Sequence, residues 1–372
     1  MGHECTMCGH SAPTWFGRCP ACGAWSSAAA PNREDGLPIT TLAGAGGGAP
    51  RLSTALADVD RVLGGGLVRG AVALLAGEPG VGKSTLVLQI MSGLARGGRR
   101  ALLVTGEESV DQVALRAARL GAPLPELRVA SSTSLAAVLQ AAGRECPDLL
   151  VVDSIQTLDD GALEQAAGSV AQVRSCAAAL VRHAKETATA VLVVGHVTKD
   201  GAVAGPKTLE HVVDAVLSLD GEPSGTLRLL RAAKNRYGSC DETGVFTMGG
   251  RGLEAVPDPS ALLLADRRAG ISGSVVFAGL EGSRPLLGEI QALVSEPSSA
   301  PNPRRVASGL DPRRLALLLG VLHRRAGLPL RDRDVFVASA GGLAVREPAA
   351  DLALCLALWS GLSGRPVDPS TV

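Results

Sequence analysis

The chain has 372 residues, with 36 Lys and Arg against 36 Asp and Glu, so its formal net charge is zero. Zero net charge gives no reason to expect nucleic-acid binding and does not exclude it, because a local basic surface is what matters. Hydrophobic residues make up 46% and aromatics 2%, so Ala, Leu and Val must fill a core large enough for two or three domains.

Residues 1–27 are polar and carry Cys5-x2-Cys8 and Cys19-x2-Cys22. Each pair makes a tight knuckle, and Gly9 and Gly23 directly after the pairs help the chain turn. Four thiolates in this arrangement suit tetrahedral Zn²⁺ in a closed, structural site. Two redox C-x-x-C pairs or free thiols are the alternative. So short a segment can hardly fold without the metal. Cys146, Cys176, Cys240 and Cys355 are scattered and read as packed thiols. The N-terminus has no apolar run of the signal-peptide kind, and no stretch reaches the ~20 apolar residues that span a bilayer. The expectation is a soluble, cytoplasmic protein. Residues 28–50, rich in Ala, Gly and Pro without a period, read as a flexible linker.

From Arg51 onward, apolar runs alternate with amphipathic stretches. Residues 71–76, 101–105, 149–152 and 191–194 are short, apolar and bounded by turn residues, which predicts buried parallel strands. Helical patterns lie over 83–96, 110–120, 135–144 and 170–187. This alternation predicts an α/β fold with a parallel sheet covered on both faces. Further strands are expected at 217–219, 226–232 and 244–248. The pattern changes near Pro257, giving a predicted domain over 51–256 and a second over 257–372. In the second, strands are expected at 274–277 and 286–294, a loop at 295–305, and a helix capped by Asp311, with Pro312 in its first turn and Gly327 after its end.

Gly77-Glu78-Pro79-Gly80-Val81-Gly82-Lys83-Ser84-Thr85 matches G-x-x-x-x-G-K-[ST] between a predicted strand and a predicted helix. The glycines let backbone N–H groups curl towards phosphate oxygens, and the helix adds its positive N-terminal end. Lys83 supplies charge to the β- and γ-phosphates, and the Ser84 hydroxyl ligates Mg²⁺. A chance Gly-rich turn is the competing reading. Asp153 ends a buried strand and is the expected holder of Mg²⁺, or else an ordinary helix cap. Glu107, followed by Glu108, stands where a carboxylate can orient the attacking water, unless both are solvated loop acids. His196 ends a strand and can sense the γ-phosphate, or it is structural.

Taken together, the four-cysteine finger, GEPGVGKST, LLVVDSIQT, GSVAQVR, VVGHVTKDGAVAGPKTLEH and Lys234-Asn235-Arg236-Tyr237-Gly238 resemble the RadA (Sms) family of bacterial DNA repair proteins over nearly the whole chain. The last pentapeptide is similar to the family's K-N-R-[FY]-G. On its own, it is two cations after a strand and equally compatible with a solvated turn. The resemblance implies a RecA-like ATPase core that assembles as a ring, a hexamer, around single-stranded DNA, with ATP between neighbouring subunits. Lys234 and Arg236 would reach across that interface to the γ-phosphate. The loop from Thr198 to Leu209 would face DNA, with Lys199 and Lys207 on its phosphates. The implied role is processing branched recombination intermediates together with RecA recombinase.

Residues 257–372 resemble the substrate-side domain of Lon proteases, as a Lon-protease-like domain without proteolytic activity. Ala349, in Glu347-Pro348-Ala349-Ala350-Asp351, stands where Lon carries its nucleophilic serine, so Ser–Lys peptidase chemistry is expected to be absent. The family's domain normally continues beyond the point where this chain stops, which implies an incomplete α+β domain. Arg304, Arg305, Arg313 and Arg314 lie in an Arg-rich stretch opposed locally by Asp311, Asp332 and Asp334. They form either a DNA-binding surface or a solvated helix face. Two rival functions remain at this stage: an ATP switch or scaffold related to circadian-clock ATPases, and a Lon-like ATP-dependent protease.

Overall fold

The computed structural model describes residues 3–8, 10–12, 14–26, 28–29, 50–196, 206–221, 227–297, 302–340, 345, 347–369 and 371. They lie in two compact units, one within Met1–Ala49 and one within Pro50–Val372. The first unit is a small antiparallel sheet of β1 (His3–Cys5), β2 (Ser11–Ala12) and β3 (Ala28–Ala29), in the order β2-β1-β3.

The second unit opens with β4 (Arg51–Leu52), α1 (Ala57–Leu63) and β5 (Leu67–Val68). Alternation then takes over: β6 (Val72–Gly77), α2 (Lys83–Arg96), β7 (Ala101–Thr105), α3 (Val110–Arg119), β8 (Arg128–Ser131), α4 (Leu135–Glu145), β9 (Leu149–Asp153), α5 (Val170–Thr187) and β10 (Ala190–His196). A short α6 (Pro206–Leu209) leads into β11 (Ala215–Asp220), β12 (Leu227–Asn235), β13 (Thr243–Gly249) and β14 (Gly252–Ala255). These strands form a nine-stranded sheet in the order β14-β13-β12-β11-β6-β10-β9-β7-β8. From β11 to β8 the pairing is parallel; β12, β13 and β14 add an antiparallel edge.

The parallel strands are almost continuously apolar because both faces are covered. One face packs on α1, α2 and α3 through Val62, Leu86, Met91 and Val113. The other packs on α4 and α5 through Val138, Val173, Cys176 and Leu180. Serine starts three of the helices: the side chains of Ser109, Ser134 and Ser169 accept the backbone N–H of Gln112, Ala137 and Gln172, satisfying donors that the first helical turn leaves open. The predicted α/β architecture is present. Its four strands and four helices end within two residues of their expected limits.

The C-terminal part comprises α7 (Pro259–Leu263), β15 (Ser274–Glu281), β16 (Arg284–Ser295), β17 (Arg305–Ser308), α8 (Pro312–Arg325), β18 (Asp334–Ser339) and α9 (Ala350–Ser363). Its four-stranded sheet, β15-β16-β18-β17, packs on α8 and α9 through Phe277, Ile290, Val337, Leu315 and Leu354. Asp311 caps α8 as expected, accepting from the Arg313 N–H. The β15–β16 hairpin inserts its tip into the neighbouring part of the larger sheet. Gly282 (φ 65°) lies so close that a Cβ there would be 1.9 Å from the Asp241 carbonyl oxygen. Glu281 pairs with Arg231, and Arg284 donates to the carbonyls of Val256 and Pro257 at 3.1 and 2.8 Å. Leu227 and Leu229 of β12 pack against the C-terminal core. Among the described residues, no helix is long and apolar enough to cross a membrane.

Candidate active site and cysteine cluster

The loop Gly77–Thr85 joins β6 to α2 at the C-terminal end of the parallel strands, where open α/β sheets bind ligands. Gly80 (φ 80°) and Gly82 (φ 118°) adopt the left-handed conformation that an anion-binding backbone curl requires. Glu78, Pro79 and Gly80 are exposed, whereas Val81 is buried. Lys83 folds back over the curl, its Nζ donating to the carbonyls of Gly77 at 2.9 Å and Glu78 at 3.0 Å. Burial lowers the Lys83 pKa, and the nearby Asp153 and Glu107 oppose that shift.

Strand order brings the rest of the site to this loop, since β10 and β9 lie next to β6 and β7 follows them. The Ser84 hydroxyl donates to Asp153 Oδ2 at 2.8 Å. Burial pushes the Asp153 carboxyl up, and the Ser84 hydrogen bond partly offsets this. A hydroxyl beside a carboxylate is an oxygen pair of the kind Mg²⁺ takes while keeping several waters, so these two residues fit that ion. Glu107 Oε1 lies 3.0 Å from His196 Nε2 and accepts from the Ser154 hydroxyl at 2.6 Å. Burial raises the Glu107 pKa, but the Ser154 hydrogen bond and His196 outweigh it and hold the carboxyl below its ordinary value. Glu107 therefore stands ionised, as an acceptor of protons must. Glu107, Asp153 and His196 each offer a ligand atom, all within 4.8 Å of one another. Glu108 turns away to pair with Arg116. Sequence reasoning missed Ser154; its position directly after Asp153, at the end of a buried strand, was the available signal.

Lys234 and Arg236 lie at the other end of the sheet. Lys234 sits opposite Val216, and Val216 opposite Leu74, three residues before Gly77. At ~3.3 Å per residue, that is about 10 Å along the strands from the start of the loop. The Lys234 ammonium donates to the carbonyls of Glu210 and Val213, and Arg236 pairs with Asp214 at 3.2 Å. Lys199 and the side chain of Lys207 lie outside the described residues.

The four arginines expected to contact DNA have different surroundings. Arg313 is exposed near the start of α8. Arg314 makes a two-pronged pair with Asp351, and Arg305 donates to the Arg331 carbonyl at 3.2 Å. The backbone N–H of Arg304 is held by Asp334 at 2.7 Å. Asp351 and Glu296, the latter paired with Arg333, are brought in by the fold from outside the Arg-rich stretch, so the local charge is less one-sided than the sequence window implied. Ala349 directly precedes α9.

In the N-terminal unit, Cys5 and Cys22 Sγ are 3.7 Å apart, as are those of Cys8 and Cys19. All four sulfurs lie within 4.8 Å of one another. A tetrahedral ion with Zn–S bonds of about 2.3 Å needs sulfurs about 3.8 Å apart, so the cluster fits zinc. The Cys22 N–H donates to Cys19 Sγ and holds that thiol below its ordinary pKa. The Cys8 thiol, despite a backbone bond at His10 that favours its thiolate, is pushed up to about 12 by the neighbouring sulfurs. A dication would relieve that crowding.

Residues 49–202 match the family model described as AAA domain, and residues 3–28 match the rubredoxin metal binding domain. The DNA repair protein RadA of Pseudomonas aeruginosa is 49% identical, over 98% of this chain and 83% of that protein. The chain belongs to the RadA family of DNA repair proteins. RadA of Escherichia coli is 47% identical over 99% of this chain and 84% of its own length, and RadA of Bacillus subtilis 44% identical over 98% and 83%. An AAA-type ATPase domain here follows a four-cysteine metal-binding module. For the module, Cys5→Ser is expected to cut bound zinc from one equivalent to well under half while residues 50–372 stay folded. Metal analysis and circular dichroism of the full chain check this; full zinc content in the variant would rule out the four-sulfur site.

Proposed function

We propose that the protein is a DNA-dependent ATPase of recombinational repair, which processes recombination intermediates and drives branch migration by moving on single-stranded DNA together with RecA recombinase. The observation that carries this reading is the convergence of Lys83, Ser84, Asp153, Glu107 and His196 at one end of the sheet, in a chain of the RadA family.

In this reading, the N–H groups of residues 80–85 and the Lys83 ammonium hold the β- and γ-phosphates of ATP. Ser84 and Asp153 hold Mg²⁺, which neutralises charge on the phosphate oxygens when bound. Glu107, kept ionised by Ser154 and His196, orients the attacking water and accepts its proton at a carboxylate oxygen. His196, at the end of β10, registers loss of the γ-phosphate and passes it to the DNA-facing segment from Thr198 to Leu209. Lys234 and Arg236 are too far along the sheet to serve their own loop. They act instead on ATP held by the neighbouring copy in a hexameric ring, stabilising charge in the transition state. Zinc in the four-cysteine module holds a small domain that docks partner protein. Lys199, Lys207, Arg304, Arg305, Arg313 and Arg314 neutralise DNA phosphates.

Steady-state hydrolysis with and without single-stranded DNA tests the central claim. Stimulation of several-fold at low salt, weakening as salt rises, is expected, because phosphate contacts release counterions. Hydrolysis indifferent to DNA at every salt concentration would refute a DNA motor and leave an ATP switch.

A further inference from the structure

Arg228 is one of the few charged side chains buried among the described residues, with 4% of its surface exposed. Burying a guanidinium is costly unless its donors are well placed, so its position calls for a reason. The side chain leaves β12 beside Gly221, where a Cβ would fall 2.5 Å from Arg228 Cδ. Register puts this point at the phosphate-loop end of the sheet: Leu229 pairs with Asp220, and Ser218 with Ala76. From there, Arg228 Nε donates to the carbonyl oxygen of Val81 at 3.1 Å, and Nη1 to the Leu227 carbonyl at 2.8 Å. Val81 is the middle residue of the phosphate loop.

A trans peptide is planar, with its C=O and the following N–H pointing in opposite directions. Fixing the Val81 carbonyl from one side therefore fixes the direction of the Gly82 N–H on the other. Gly82 needs that restraint more than most residues, since a glycine has an open choice of backbone conformations. Here it is held at φ 118°. A free loop could turn this peptide over and present a carbonyl oxygen to the phosphates, which they would repel.

We propose that Arg228 is a positioning residue for nucleotide binding: by anchoring the Val81 carbonyl, it keeps the Gly82 N–H turned to the phosphate side of the loop. The proposal rests on the nucleotide-site reading given above. It predicts weaker binding of any nucleotide whose phosphates occupy the loop, with little change in the chemical step, since Arg228 touches no group assigned to water activation.

The test measures ADP binding by calorimetry with Mg²⁺, KM and kcat for ATP, and the melting curve without nucleotide, on the full chain. Wild type is compared with Arg228→Met and Arg228→Lys. Arg228→Met is expected to weaken ADP binding about 10- to 100-fold, in line with loss of one charge-assisted hydrogen bond, and to raise KM for ATP by a similar factor with kcat within about threefold. Arg228→Lys, whose ammonium can still reach a carbonyl, should recover most of the affinity. If Arg228→Met melts like wild type and binds ADP equally well, the proposal is overturned. Should Arg228→Met fail to fold, Arg228→Gln is judged by the same criteria; if that also fails, Arg228 serves the fold alone and the positioning role is lost. Absence of ADP binding by wild type would instead bring down the nucleotide-site reading and this inference with it.

Discussion

Lys83→Ala should lower ATP turnover by about 100- to 1000-fold, the usual cost of removing one donor aimed at developing charge, while leaving the fold intact. The Lys83 ammonium is buried over the loop, with two backbone carbonyls as partners, and its burial disfavours the charge it carries. Its removal is expected to cost the ligand-free protein little, because the two carbonyls it releases belong to the loop itself. The expected pattern is an unchanged melting curve without nucleotide, weakened nucleotide binding and near-complete loss of hydrolysis. Turnover within a few-fold of wild type would show that the loop is not where ATP reacts. Glu107→Gln makes a useful contrast. The amide oxygen can still accept from Ser154, so structure and ATP binding should survive while kcat falls, by about 100- to 10,000-fold if the carboxylate is the base.

Lys234→Ala is expected to stop hydrolysis but spare nucleotide binding, because the residue lies at the far end of the sheet from its own loop. The decisive measurement mixes it with Lys83→Ala. Each variant is inactive alone, for different reasons. In a mixed assembly, some interfaces pair an intact loop from the Lys234→Ala chain with an intact Lys234 from the Lys83→Ala chain. Activity should then reappear in proportion to such interfaces. A mixture as dead as its components would sink the idea that Lys234 acts on a neighbour. A loss of nucleotide affinity in Lys234→Ala alone would point to its bonds with the Glu210 and Val213 carbonyls as a structural requirement.

Where one face or both faces of an element had a clear partner, the sequence was readable. β6, β7, β9 and β10 are buried on both sides and appear as short apolar runs, and α2 and α5 begin and end within the expected limits. The place of residues 77–85 between a strand and a helix was legible because an apolar run precedes the glycines and a helical pattern follows Lys83. Asp153 was placed by the same logic of a carboxylate ending a buried strand. α9 was missed: its sequence ADLALCLALWSGLS is apolar almost all round, and a helix without a polar face leaves no period to detect. β17 and β18 were missed because they are short and flank the Arg-rich stretch, so that the run carrying Val335 and Val337 of the core stands directly after charged residues. Arg228 was invisible for another reason, and of Ser154 only its place next to Asp153 was legible. Their importance lies in contacts with Glu107 and Val81, far away in sequence, and no local pattern encodes such distances.

The hairpin tip at Gly282 and Ser283 bears on how the molecule can be dissected. Because the tip is keyed against Asp241 with no room for a side chain, the two sheets behave as a mortise and tenon, and a fragment ending at Val256 would not be a smaller version of the same ATPase. It would bare Leu227 and Leu229 to water and take Glu281 from Arg231, on the strand that also carries Lys234. Truncation variants that lose activity would thus report on a damaged β12 before they report on any separate task of the C-terminal part. Point substitutions on the outward side of α8, which leave the joint whole, are the cleaner way to ask what that part contributes.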